Sequence, residues 1–197
     1  MNTMSSLEMQ MQEMIRIAHR AAALGLQSGT GGNISVRCGL SYLAKASGTS
    51  LYGMTEADIV TLDREGNIIG GSGLPTKEVR FHLGIYRERP DVGAVVHYHA
   101  PFATAFAIKA VAIPLLTFHA QRALRKMPVI PPMPDGSKEL AEAVVGALRD
   151  REVRLVLLAA HGLVAVGETL LDAQGLAELA EETAKTALAA RLLELSG

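Results

Sequence analysis

The sequence predicts an α/β fold in which helices pack on a mixed, largely antiparallel sheet. Two observations predict it. Segments with helical spacing alternate along the chain with short β-branched apolar runs. The early strands also come in pairs separated by tight turns, and hairpins make antiparallel sheets. The 197 residues suit one domain over 1–197, and a hydrophobic share of 49% supplies its core.

The first helix is expected from Ser6 to Leu26, with Met11, Met14, Ile15, Ala18, Ala22 and Leu24 as its stripe and Gly25 as its end signal. His19 reads as a surface or half-buried residue. A small-residue loop over 27–32 leads to an alternating strand, Asn33 to Arg37, and a partner strand, Ser41 to Lys45, across the Cys38-Gly39 turn. A second small-polar loop covers 46–50, and Thr55 to Asp58 is a short capped turn. Ile59 to Leu62 and Ile68-Ile69 form the next hairpin. A third loop over 70–75 precedes a helix capped by Thr76 and ended by Pro90.

The run from Val92 to Val96 reads as a buried strand and closes in His97-Tyr98-His99. A helix from Phe102 to Lys109 and a short strand, Ile113 to Leu116, are expected next. The stretch from Phe118 to Asp135 carries Pro128, Pro131, Pro132 and Pro134 and reads as irregular. Ser137 opens a helix to Arg149, Val153 to Ala159 is a buried strand, and Leu170 to Leu195 is a long terminal helix.

Composition excludes several classes of function. Lys+Arg 19 against Asp+Glu 20 leaves no basic stripe for nucleic acid and no charged tail for a membrane. The lone Cys38 excludes an intrachain disulfide. Met1 to Met4 is polar and lacks the apolar core of a signal peptide, and no apolar run reaches membrane-spanning length. A cytoplasmic protein with no nucleic-acid or membrane partner is expected.

Three features carry chemistry. His97 and His99 alternate with Tyr98, so both imidazoles leave the same face of a strand end, and two imidazoles so placed can converge on one metal ion. His161 ends another apolar strand and completes an open three-histidine set. Glu78 follows a Gly-rich loop at a helix start. It is either a helix-start charge, a general acid/base or a further ligand. The segments 29–33, 47–50 and 75–77 offer backbone N–H groups, hydroxyls and a lysine, which suit a phosphate. None has the Gly-Lys-Ser/Thr spacing of a P-loop. Together they point to a small phosphorylated substrate.

Gly29-Thr30-Gly31-Gly32-Asn33-Ile34-Ser35-Val36-Arg37, Ser47-Gly48, Pro75-Thr76-Lys77-Glu78 with Arg80-Phe81-His82, the strand end at His97-Tyr98-His99-Ala100, and His161-Gly162 together resemble the class II aldolase/adducin family. The resemblance runs over nearly the whole chain, and its sugar-phosphate aldolases are the most similar in layout. It implies a three-layer α/β/α fold around a mostly antiparallel central sheet. It also implies a homotetramer with active sites near subunit interfaces. His97, His99 and His161 fall on the zinc-ligand positions and Glu78 on the acid/base position. Gly32, Asn33, Ser47, Gly48, Thr76 and Lys77 fall on the phosphate-binding positions. Cobalt, manganese or iron can replace zinc on such ligands.

The implied activity is metal-dependent cleavage or formation of a carbon–carbon bond in a phosphorylated ketose, through a metal-stabilised enediolate. Departures from the aldolase pattern keep alternatives open. Lys77 stands where those aldolases have a small hydroxyl residue, and Thr-Lys-Glu also resembles decarboxylases of 3-oxo sugar acid phosphates. Phe118 and His119 stand near the family's helper tyrosine. The sequence stops at Gly197, short of the tail that closes over the site in those aldolases. Epimerase or dehydratase chemistry on the same metal site is a further option, and a non-catalytic adducin-like interaction module is the alternative of another class. His82, one turn past Glu78, is either a supporting residue or an ordinary helix position. Tyr98 is assigned to core or interface.

Overall fold

The computed structural model describes residues 5–195, so the polar start at Met1 to Met4 lies outside the described residues. Eight strands form one sheet: β1 (Asn33–Cys38), β2 (Ser41–Lys45), β3 (Ile59–Leu62), β4 (Ile68–Gly70), β5 (Ala94–Tyr98), β6 (Val129–Ile130), β7 (Leu155–Leu158) and β8 (Gly162–Gly167). Their spatial order is β4-β3-β2-β1-β5-β8-β7-β6. Every pairing is antiparallel except the parallel edge pair β6–β7. Among the described residues, no helix is long and apolar enough to cross a membrane.

The sheet is covered on both faces, giving the three-layer α/β/α arrangement. On one face lie α1 (Ser6–Ala23), α3 (Pro101–Ile108), α4 (Phe118–Ala123) and α6 (Leu170–Leu195). They pack on Ile34 and Val36 of β1, Ala94, Val96 and Tyr98 of β5, and Leu163 and Ala165 of β8. On the other lie α2 (Val79–Glu88) and α5 (Lys138–Leu148), against Val95, Val156, Val164 and Val166. Alternate residues of one strand thus serve two cores, as the two-residue period of a strand requires.

Local chemistry explains most boundaries. Ser5 and Glu8 exchange hydrogen bonds in a capping box that starts α1, and Gly25 takes φ +72° beyond its end. The helix stops at Ala23 rather than Leu26, and Leu24 is exposed instead of joining the stripe. His19 is exposed and lies 2.9 Å from the Met54 carbonyl. Ser137 caps α5 through the Leu140 N–H. Tyr98 points into the helical layer, where its hydroxyl donates to Gln174 of α6 at 2.7 Å. Glu181 of α6 accepts from the N–H groups of Phe102 and Ala103 and anchors the start of α3, directly after the histidine strand.

Three further expectations change. No strand forms over Ile113 to Leu116, because Pro114 has no N–H to give a ladder and turns the chain instead. The segment from Phe118 to Asp135 is not irregular throughout. Thr117 caps α4, all four prolines lie beyond it, and they leave room only for the two-residue β6. Thr76 does not cap α2 directly: the helix starts at Val79, with Glu78 at the cap position and its side chain turned away from the helix.

Candidate active site

The site lies where β1, β5 and the β7–β8 turn meet the start of α2. His97 sits in β5 opposite Asn33 of β1, His99 follows the strand end, and His161 occupies the turn before β8. His97 Nε2 is 3.1 Å from His99 Nε2 and 3.2 Å from His161 Nε2. His97 Nδ1–H donates to the Leu163 carbonyl at 2.8 Å, so its Nε2 carries a lone pair toward the other two rings. Glu78 Oε2 lies 3.2 Å from His97 Nε2, and Oε1 lies 3.6 Å from His161 Nε2.

This donor set suits a divalent cation. The candidate ligand atoms of His97, His99 and His161 all lie within 4.8 Å of one another. Three nitrogens on a tetrahedral zinc, each at about 2.0–2.1 Å, would stand about 3.3 Å apart. Burial pushes all three imidazoles away from their charged forms, His97 down to about 3, and a neutral imidazole is the form that offers a lone pair to a metal. Glu78 Oε1 and His161 Nδ1 are buried without a hydrogen-bond partner. Asp135 Oδ1 approaches His161 Nδ1 at 3.7 Å.

Glycine makes this approach possible. A Cβ on Gly32 would lie 2.5 Å from Gln27 Oε1 and 2.8 Å from the His97 carbonyl, and its φ of +61° also favours glycine. Gln27 Oε1 accepts from the His99 N–H at 2.8 Å, so the loop, Gln27 and the ligand strand are packed as one unit.

The histidines open on a cavity of about 380 Å³. All six residues expected at the phosphate line it: Gly32, Asn33, Ser47, Gly48, Thr76 and Lys77. They are not equivalent. The amide of Asn33 is committed at both ends, donating to Glu78 Oε2 at 2.8 Å and accepting from His82 at 2.5 Å. Lys77 is exposed at the rim, and Gly48, at φ +78°, has room for a ligand in front of it. His119 lies away from this cavity, on α4, beside a smaller one lined by Leu179 and Glu182.

Sequence reasoning missed Lys45, Gln27 and Asp135. Lys45 is 2% exposed, lines the cavity, and donates from Nζ to the carbonyls of Thr30 and Ala46. Its signal was a single lysine closing the apolar Tyr42-Leu43-Ala44 run. Burial lowers its pKa, and the charge of Asp58 opposes that shift. For Glu78 burial pushes the carboxyl above its usual range, against the pull of the hydrogen bond from the Asn33 amide.

A clustered histidine triad, an adjacent buried carboxylate and a small-residue cavity on this sheet define a class II aldolase-type protein. The family model for the "Class II Aldolase and Adducin N-terminal domain" matches residues 12–188, and the chain belongs to that family. The L-fuculose phosphate aldolase of Methanococcus vannielii is 36% identical over 177 residues, covering 90% of this chain and 94% of that one. The 5-methylthioribulose-1-phosphate/5-deoxyribulose-1-phosphate aldolase of Rhodospirillum rubrum is 40% identical over 175 residues, covering 87% and 77%. The crystal structure of L-fuculose-1-phosphate aldolase from Thermus thermophilus superposes with a TM-score of 0.86 at 32% identity, covering 95% and 97%.

Proposed function

We propose that this protein is a zinc-dependent aldolase acting on a ketose 1-phosphate, which it cleaves reversibly into glycerone phosphate and an aldehyde. The observation that carries the reading is the unpartnered, buried Glu78 Oε1 beside three converging imidazoles, at the floor of a cavity walled by small-residue loops. The relatives support the substrate class, since the matched aldolases named above are all named for ketose phosphates. They do not favour decarboxylase, epimerase or dehydratase chemistry, and the intact ligand set does not favour a non-catalytic module.

The divalent cation that His97, His99 and His161 would hold supplies Lewis-acid stabilisation of negative charge as the carbon–carbon bond breaks. The chain supplies the rest. Gly32, Ser47, Gly48, Thr76, Lys77 and Lys45 receive the phosphate through N–H groups, hydroxyls and charge, which fixes the ketose in the cavity. Asn33 holds Glu78 in place from behind. In the cleavage direction the hydroxyl beside the breaking bond gives up its proton to solvent as the aldehyde departs, and a protonated Glu78 delivers a proton to the carbon left behind. In the synthetic direction it removes that proton, a role worth about 10²–10⁴-fold. The family resemblance implies a homotetramer with sites near the subunit interfaces, and the exposed apolar side chains of Leu116, Phe118 and Leu193 are surface that such contacts would cover.

The test is a metal-loaded preparation assayed both ways, for cleavage of ketose 1-phosphates and for aldol addition of glycerone phosphate to small aldehydes. Activity in either direction that a chelator abolishes and zinc restores is expected. A folded, metal-loaded protein inactive in both directions overturns the reading. Light scattering tests the tetramer, which a monomeric mass would rule out.

A further inference from the structure

Behind Glu78 and Asn33 a buried chain of polar groups continues through His82, Ser35 and Tyr86, three residues that the reaction above does not use. Glu78, His82 and Tyr86 stand four residues apart, so they share one face of the α2 segment at a rise of about 6 Å per step. Asn33 and Ser35 stand two apart on β1, sharing one face at a spacing of about 6.6 Å. The two repeats nearly match, and the side chains interleave. Tyr86 Oη lies 2.8 Å from Ser35 Oγ, Ser35 Oγ 2.7 Å from His82 Nδ1, His82 Nε2 2.5 Å from Asn33 Oδ1, and Asn33 Nδ2 2.8 Å from Glu78 Oε2. All five residues are buried.

The proton positions follow from the carboxylate end. An ionised Glu78 oxygen only accepts, so Asn33 must turn its Nδ2–H toward it. Asn33 Oδ1 then faces His82 Nε2, which must carry a hydrogen. His82 Nδ1 is therefore a bare lone pair, and Ser35 must donate to it. The Ser35 oxygen is left to accept from the Tyr86 hydroxyl. Tyr86 cannot swing away, because its ring stacks on Tyr42 at 4.7 Å and lies under the Arg37 guanidinium at 4.9 Å. His82 is likewise stacked on Phe81 at 4.6 Å.

We infer that Tyr86, Ser35 and His82 are positioning residues: through Asn33 they commit Glu78 Oε2 as a permanent acceptor and leave Oε1 as the one oxygen that exchanges a proton with substrate. A proton on Oε2 would set two donors against each other at Asn33. Relieving that conflict means flipping the Asn33 amide, moving the His82 hydrogen to Nδ1 and turning both hydroxyls. Oε1 meets no such opposition. It has no hydrogen-bond partner and belongs to a residue that lines the cavity.

The inference rests on the aldolase reading for its kinetic arm and on the fold alone for its spectroscopic one. In the kinetic arm, Tyr86→Phe removes one oxygen and Ser35→Ala cuts the chain at its centre. Misplacing a reacting group by about 1 Å costs on the order of 10²-fold, so Ser35→Ala is expected to lower kcat by about 10- to 100-fold and Tyr86→Phe by less. KM and metal stoichiometry should stay within about twofold, since neither residue touches the cavity. His82→Gln, which keeps a donor near the Nε2 position, should retain more kcat than His82→Leu of equal thermal stability.

In the spectroscopic arm, side-chain ¹⁵N shifts of His82 should report the Nε2–H tautomer in the wild type, active or not, and a mixture in Ser35→Ala. Should Ser35→Ala not fold, Tyr86→Phe decides by the same readouts. A Nδ1–H tautomer in the wild type overturns the chain, as does a loss confined to KM, a kcat unchanged in every variant, or equal kcat for the Gln and Leu variants. An inactive wild type showing the Nε2–H tautomer supports the chain and overturns the aldolase reading alone.

Discussion

His97 and Leu163 are joined across β5 and β8 by a hydrogen bond of 2.8 Å from the imidazole Nδ1 to the main-chain carbonyl. The bond decides which nitrogen of His97 is free. A fully buried imidazole with its Nδ1 hydrogen committed offers Nε2 as a lone pair, and a metal ligand needs that tautomer. The acceptor belongs to the backbone of a paired strand, so no side-chain substitution removes it. His97→Ala is expected to lose stoichiometric divalent metal, measured by elemental analysis after gel filtration. Retention of one metal per chain would show that the ion sits elsewhere.

His161 is supported differently. Its Nδ1 is buried without a partner, and the carboxylate that approaches this nitrogen is Asp135 at 3.7 Å, whose side chain is 75% exposed. Partners of this kind typically contribute 10- to 100-fold in metal affinity. Asp135 is exposed and just out of hydrogen-bond reach, so Asp135→Asn should sit at the low end, weakening metal binding by about tenfold in competition with a chromophoric chelator. An unchanged affinity would assign Asp135 to the cavity rim alone.

The β7–β8 turn is constrained more tightly. A Cβ at Gly162 would lie 2.3 Å from the Tyr98 carbonyl and 3.2 Å from the His99 Cα. Both neighbours are backbone atoms of the strand end carrying two ligands, so relief requires β5 and β8 to part. Gly162→Ala is expected to destabilise the protein by about 1–3 kcal/mol, the range of an overpacked core, and to weaken metal binding with it. Denaturant midpoints with and without zinc check both. A stable variant with normal metal affinity would show that the strands yield without cost.

How much of this was legible in the sequence depends on the range of the interaction. The hairpins, the Ser137 cap and the His97/His99 pair followed from strand period, turn residues and caps, which act within a few positions. Lys45 closing an apolar run was a local signal of the same kind, overlooked beside the loops. The two-residue β6 owes its existence to pairing with β7, and nothing in Val129-Ile130 alone announces a strand. The contacts of Asn33 with Glu78 and His82 join positions more than forty residues apart. Only the matching of a four-residue helical step to a two-residue strand step hinted at them, and that becomes meaningful once α2 is known to lie over β1.

Buried histidines make the protein's stability depend on pH. His82 and His97 are both pushed down to about 3, chiefly by burial. Unfolded, each returns to about 6.5. Between those values the unfolded chain binds the extra protons, so unfolding takes up protons and stability rises with pH. The metal-free protein should therefore lose stability progressively as pH falls below about 6.5 toward 3. Urea midpoints between pH 7.5 and 4 measure this, and a midpoint that is flat or rises on acidification would show that neither imidazole is held neutral.

Lys45 offers the sharpest test of how the cavity receives its anion. Its ammonium is nearly enclosed, and two main-chain carbonyls, of Thr30 and Ala46, each at 3.3 Å, hold it at the cavity wall. Lys77 reaches the same cavity from an exposed position, where water screens its charge. A hydrogen bond to a charged group contributes about 1.5–3 kcal/mol, which corresponds to roughly 10- to 150-fold in affinity. Lys45→Met keeps an unbranched side chain one atom shorter and removes the charge. It should raise KM for a ketose 1-phosphate, and Ki for inorganic phosphate, by a factor in that range. Lys77→Met should change both by severalfold at most. Because burial lowers the Lys45 pKa, its contribution should also fade at a lower pH than an exposed lysine's would. Steady-state kinetics of the two variants, with phosphate as competing ligand, separate the roles. A larger effect at Lys77 than at Lys45 would place the phosphate at the rim rather than against the β2 wall.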